Sequence, residues 1–121
     1  MEVILDSNFI ISCIKRKINF LEDLENLGFK VLLPKEVYQE LKDLRQKVSH
    51  NERNNIDIAL SLIEKNKIKK IRLGNKIVDE GLIEKGKKGC YVATLDSGIK
   101  RAISNKVIIS EAKNSLIIER S

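Results

Sequence analysis

The chain has 121 residues and a mass of 13.8 kDa, enough for one hydrophobic core and too little for two, so a single domain over residues 1–121 is expected. Hydrophobic residues make up 42% and charged residues 33%, a balance that excludes intrinsic disorder and suits a soluble globular chain. The formal net charge is +6, which favours a polyanionic partner, although a Lys/Ile/Glu-rich surface alone produces the same sum.

The run Val3-Ile4-Leu5 ends in Asp6 and reads as a buried strand that delivers an acid at its carboxyl end. Ser7 or Asn8 then caps a helix over about Phe9 to Arg16. A second helix is expected from Asn19 to Leu27, with Phe20, Leu21, Leu24 and Leu27 on one face and Gly28 as its stop. Lys30 to Leu33 is the next strand, and Pro34 opens a helix that carries Val37, Glu40, Leu41 and Leu44 at helical spacing. The polar stretch Gln46 to Asn55 reads as a mobile excursion or a frayed helix junction. A helix from Ile56 to Glu64 follows, then a strand from Lys69 to Leu73, a turn at Gly74-Asn75 and a helix from Lys76 to Lys87. Gly89 turns the chain into a strand from Cys90 to Thr94 that stops short of Asp96. Ile99 to Ile103 is helical, Val107 to Ile109 is a strand, and Leu116 to Ile118 is a candidate edge strand.

Strands alternating with helices imply an α/β domain with a mostly parallel sheet and right-handed crossovers. Ligands of such sheets bind outside the carboxyl ends of the strands, where this sequence puts Asp6 and Asp96. Glu40 lies one turn past Glu36 on the following helix, and Asp79, with Glu80 beside it, opens a later one. If these acids converge, they repel and raise one another's pKa values unless a divalent cation neutralises them. All-oxygen ligands select a hard ion, Mg²⁺ or Mn²⁺, and an ion so held can position water and stabilise charge on a phosphoryl oxygen. An acidic metal site on a basic protein is the layout expected of a phosphodiesterase acting on nucleic acid.

Four blocks carry a family resemblance: Ile4-Leu5-Asp6-Ser7-Asn8-Phe9-Ile10, then Pro34 to Leu41, then Asp79-Glu80-Gly81-Leu82-Ile83, then Val92-Ala93-Thr94-Leu95-Asp96 with Lys100-Arg101. In order and spacing they resemble the PIN domain family over nearly the whole chain. The stretch from Asp79 to Arg101, with the tail from Ile109 to Glu119, is most similar to the archaeal and eukaryotic group of small-subunit ribosomal RNA processing endonucleases. Similarity to the short toxin nucleases of toxin–antitoxin pairs is weaker. The resemblance implies a three-layer α/β/α domain with a central sheet of four or five strands. It also implies a Mg²⁺- or Mn²⁺-dependent endoribonuclease that leaves a 5′-phosphate and a 3′-hydroxyl. Residue by residue, the catalytic and metal-binding acids fall on Asp6, Glu40, Asp79 and Asp96, with either Asp79 or Glu80 facing the metal. The polar supporting positions fall on Ser7, Asn8 and Thr94. Ser97 and Gly98 depart from the family's usual charged residues. The partners implied are RNA (a ribosomal RNA precursor or another structured RNA), a second copy in a homodimer and, on the toxin reading, an antitoxin. A domain that docks RNA or a ribosome-assembly partner without cutting it is the rival reading.

The other notable residues have plainer readings. Asp79 and Asp96 are each placed where a helix start alone would favour an acid, whereas the capping role open to Asp6 is already served by Ser7 and Asn8. Two cysteines (Cys13, Cys90) and one histidine (His50) exclude a Cys/His zinc finger and a disulfide scaffold, and two free thiols suit a reducing cytoplasm. The longest apolar runs are three or four residues against the ~20 that a membrane span needs, so no membrane association is expected. The start MEVILD lacks the basic region of a signal peptide, which adds to the expectation of a cytoplasmic protein. Tyr38 and Tyr91 are expected in the core. The run from Lys65 to Arg72 holds five cations in eight residues and is read as a solvated face, with Lys69 and Lys70 as candidates for RNA contact. Lys100 and Arg101, within about a turn of Asp96, are the better candidates for phosphate.

Overall fold

Side chains in the first strand alternate between two cores, and that alternation sets the layers. The computed structural model describes residues 1–74 and 77–120. Its elements are β1 (Glu2–Leu5), α1 (Ser7–Lys15), α2 (Phe20–Asn26), β2 (Lys30–Pro34), α3 (Lys35–Arg45), α4 (His50–Lys65) and β3 (Lys69–Ile71). They continue as α5 (Val78–Lys87), β4 (Tyr91–Ala93), α6 (Ser97–Ala102), β5 (Asn105–Ser110) and β6 (Ser115–Arg120). Val3 and Leu5 join Ala93 and Val107 in a core shared with α1 to α4, including Phe9, Phe20, Leu24, Leu41, Ile56 and Ile63. Phe9 and Phe20 meet edge to face, 6.4 Å between centroids. Ile4 points the other way, with Leu32 and Val92, into a smaller core closed by Leu82 of α5 and by Ile99 and Ile103 at α6. Helices therefore cover both faces of the sheet.

The strand order is β3-β2-β1-β4-β5-β6. β1 pairs in parallel with both β2 and β4, β2 with β3 and β4 with β5, while β6 runs antiparallel to β5. The chain leaves β1 toward β2 on one side and later returns to β4 on the other. The gap between the carboxyl ends of β1 and β4 is thus the switch point at which open α/β sheets bind ligands.

The sheet has six strands where four or five were expected. The Leu116–Ile118 segment extends to a full strand because six residues pair across the hairpin, from Asn105 with Arg120 to Ser110 with Ser115. The Gln46–Asn55 stretch is no excursion: α4 starts at His50, where the Ser49 hydroxyl accepts from the Glu52 N–H at 3.4 Å. Arg45 clamps Asp57 through its guanidinium, and Arg53 Nε donates to the Arg45 carbonyl at 3.2 Å, which ties α3 to α4. Pro34 ends β2 and stands at the cap of α3 rather than in its first turn. β3 stops at Ile71 because the next donors go elsewhere: the N–H groups of Leu73 and Gly74 both donate to the Glu36 carboxylate at 3.1 Å. Burial opposes ionisation of Glu36, but these backbone donors and Arg72 outweigh it and hold the carboxyl below its ordinary range. The expected turn at Gly74-Asn75 and helix start at Lys76 fall partly on residues outside those described; the helix that follows begins at Val78.

Candidate active site

Asp6 is buried at the end of β1, where it serves as the cap of α1. That corrects the expectation that Ser7 or Asn8 caps this helix. The Asp6 carboxylate accepts from the Ser7 N–H at 2.8 Å and from the Thr94 hydroxyl at 2.8 Å. Thr94, fully buried one residue past β4, spends its hydroxyl proton on Asp6 and its lone pair on the Asp96 N–H at 3.1 Å. Asp96 in turn caps α6 by accepting from the Ile99 N–H at 2.8 Å. The Asp6 N–H donates to the Ala93 carbonyl at 3.0 Å. Two acids from sequence-distant strands are thereby locked across the switch point by one threonine.

Asp79 of α5 acts electrostatically on Asp6 and on Glu40 of α3. Burial pushes the Asp6 carboxyl above its ordinary value; the Thr94 and Ser7 hydrogen bonds pull it down, and the charges of Asp79 and Asp96 push it up again. Burial also raises Glu40, as do Asp6 and Asp79, against a hydrogen bond from Ser7. Among the described residues, no cation is a source of either shift. Of the neighbouring pair, Asp79 is the acid whose charge is felt at Asp6 and Glu40, and Glu80 is not. Ser7 serves both acids, through its N–H to Asp6 and its side chain to Glu40. Exposed Asn8 lines a neighbouring cavity of about 390 Å³ with Ser7, Glu40 and Lys47.

An all-carboxylate donor set suits a hard divalent ion; Asp6 and Glu40 are raised first by burial, and the neighbouring acids add to it. Among the described residues, no three such groups stand close enough to share one ion, so the acids form a charge-coupled group rather than a closed coordination sphere.

Lys100 and Arg101 sit on α6, about a turn past Asp96. The buried Lys106 ammonium anchors the far end of that helix, donating to the Lys100 and Ile103 carbonyls at 2.9 Å each. Lys69 and Lys70 are not at this site. Lys70 is held by Glu64 at 2.9 Å and lies over the Tyr38 ring, 4.6 Å from its centroid. Lys69 begins β3 in register with Leu32 of β2, which pairs with Ile4, and its neighbour Lys70 turns to the other face of the sheet. Cys13 is fully buried, which pushes its thiol up to about 12 and leaves it inert. Sequence patterns did not point to Glu36 as the anchor of the chain beyond β3, or to Lys106 as the anchor of α6. A Glu one turn into a helix and a Lys in a strand carry no local signal of such roles.

Comparison with known proteins agrees with the fold. The family described as PIN like domain matches residues 3–110. The structure of the PIN domain endonuclease Utp24 superposes with a TM-score of 0.78 at 21% identity, covering 99% of this chain and 92% of that one. VapBC2 from Rickettsia felis, bound to a DNA fragment from their promoter, gives a TM-score of 0.53 at 15% identity, covering 84% of this chain and 93% of that one. No curated protein matches. At these identities the two structures speak for the fold, and the family match speaks for membership. From β1 through the end of β5, the chain belongs to the PIN-like domain family.

Proposed function

We propose that the chain is a Mg²⁺- or Mn²⁺-dependent endoribonuclease acting on structured RNA, with ribosomal RNA precursors as the substrate class. The observation that carries this reading is the Asp6–Thr94–Asp96 hydrogen-bonded set at the switch point, with the charges of Asp79 and Asp96 acting on Asp6 and those of Asp6 and Asp79 acting on Glu40. Asp6, Glu40, Asp79 and Asp96 would supply the ligands by drawing together on the ion, since among the described residues no three of them already share one site. The chemistry supplied by such an ion is neutralisation of charge at the phosphate and activation of water.

The residues of the chain do the rest. Thr94 fixes the spacing of Asp6 and Asp96, Ser7 steadies Asp6 and Glu40, and Lys100 and Arg101 draw in the RNA backbone. Water adds to phosphorus, the bond from phosphorus to the 3′ oxygen breaks, and that oxygen takes a proton. The products carry a 3′-hydroxyl and a 5′-phosphate.

The direct test is cleavage of a structured RNA with Mn²⁺ by the native protein and by Asp96→Asn. Groups that merely hold a metal ligand in place are worth about 10- to 100-fold, so loss of a ligand should cost at least about 100-fold. Undiminished cleavage by Asp96→Asn would exclude it as a ligand. Thr94→Val keeps the shape but leaves Asp6 without its hydroxyl donor and the Asp96 N–H without its acceptor. Its expected cost is about 10- to 100-fold in rate, with Thr94→Ser close to native. Equal rates for the two variants would show that the hydroxyl does not position the acids.

A further inference from the structure

A second feature lies on the α5 face of the sheet, and none of Asp6, Glu40, Asp79 and Asp96 lines it. A cleft of about 450 Å³ opens between the end of α5 and the sheet, over Glu2 and Ile4 of β1, Leu32 of β2 and Lys69 and Ile71 of β3. Its apolar lining includes Leu32 and Ile71, and its cations are Lys69, Lys85 and Lys88. Glu2 is the one acid in the lining. Lys88 meets Glu84 at 3.2 Å in an exposed helical pair, which is too weak to compete with a phosphate. Three ammonium groups match the phosphates of a nucleic-acid backbone, and the half-buried Ile71 offers an apolar contact for a base between them. The volume suits a ligand the size of a nucleotide. Ile4 lines the cleft and stands two residues before Asp6, about 7 Å at ~3.3 Å per residue, so one strand of RNA can span the distance from cleft to acids.

We infer that this cleft is a second RNA-binding site, which holds an unpaired segment of the same strand whose scissile phosphate lies at the acids. The inference rests on RNA being the substrate. It assigns Lys69 a role different from that of Lys70: Lys70 is spent on Glu64 and Tyr38, whereas Lys69 faces the cleft. It also brings in Lys85 and Lys88 of α5, which the sequence pattern does not single out.

Cys90 lines the cleft and provides a probe, because the other thiol, Cys13, is fully buried. Alkylation of Cys90 in EDTA, with and without a short single-stranded RNA, should slow when RNA is present. AMP at the same nucleotide concentration should protect far less. Binding of the same RNA, followed by fluorescence anisotropy in EDTA, should weaken at least about tenfold in the Lys69→Gln/Lys85→Gln/Lys88→Gln protein. The slope of log K against log salt should fall by about 2, at ~0.7 for each phosphate no longer neutralised. A control that removes three exposed lysines elsewhere (Lys15, Lys65 and Lys113) lowers the net charge equally and should bind nearly as the native protein does. Unprotected Cys90, equal weakening by the two triple variants, or equal protection by AMP would each overturn the inference. Protection of the native protein is read without any substitution, so a triple variant that fails to fold leaves the test standing. If protection and the salt slope behave as stated but no RNA is cut with Mn²⁺, the nuclease reading fails and the RNA site stands.

Discussion

Asp6→Asn is expected to cut RNA at least about 100-fold more slowly than the native protein while melting at a higher temperature in EDTA at neutral pH. Both effects have one cause. The Asp6 carboxylate is buried and feels the charges of Asp79 and Asp96, which raises its pKa above the ordinary 3.8 despite the hydrogen bonds from Thr94 and Ser7. A carboxyl with a raised folded pKa holds its proton more tightly in the folded chain than in the unfolded one. Its contribution to stability is complete below pH 3.8 and is lost as the pH rises through the folded value. At neutral pH the ionised group therefore opposes folding, and a neutral amide in its place does not. Asn keeps an oxygen for the Ser7 N–H, and its amide can donate to the Thr94 oxygen, so the cap of α1 survives.

Thermal melts in EDTA check the sign: the variant should melt higher at about pH 7, with the gap closing toward about pH 4. A lower melting temperature for Asp6→Asn at pH 7 would mean that Asp6 is a purely structural cap. Metal reverses the order. An ion at 100 times its dissociation constant stabilises the native protein by about 2.7 kcal/mol, on the order of 10 °C for a domain of this size. Mn²⁺ should raise the melting temperature of the native protein and leave that of Asp6→Asn nearly unchanged.

Strand positions were legible because each apolar run is short and bounded, and because a buried parallel sheet needs such runs. The placement of two acids was legible for the same reason: Asp6 and Asp96 follow the ends of β1 and β4, where the switch point must be. Sequence could not show which of Asp79 and Glu80 turns toward Asp6, since neighbours on a helix differ by 100° and the phase of α5 depends on its packing. The polar run before Ile56 hid the start of α4, yet Ser49 and Glu52 stand at capping-box spacing there. Lys69 and Lys70 looked equivalent in a basic run. Alternation along a strand sends successive side chains to opposite faces, so one is captured by Glu64 and the other faces the cleft. The anchoring roles of Glu36 and Lys106 depend on backbone groups 37 and 3 residues away, respectively, and no spacing rule points to either.

Gly86→Ala tests how the two helices that carry acids are held relative to each other. Helix propensity alone predicts a gain of about 1 kcal/mol for alanine within a helix. Packing predicts the reverse. A Cβ at Gly86 would come within 2.5 Å of Ile103 Cγ2 and 3.3 Å of Val92 Cγ2. Ile103 is buried and β-branched, and it stands at the carboxyl cap of α6, whose last turn Lys106 already fixes. Neither side can yield without moving a helix, so overpacking of about 1–3 kcal/mol should outweigh the propensity gain. The melting temperature should fall by roughly 4–8 °C for each kcal/mol of destabilisation. Activity should fall further than stability explains, because α5 carries Asp79 at its other end and α6 carries Asp96 at its cap. Ile103→Ala removes the clashing methyl, so Gly86→Ala should be nearly free in that background, a coupling that a double-mutant cycle measures directly. If Gly86→Ala instead raises the melting temperature with Ile103 intact, α5 slides freely on the sheet, and the packing of Gly86 on Ile103 does not set the distance between Asp79 and Asp96.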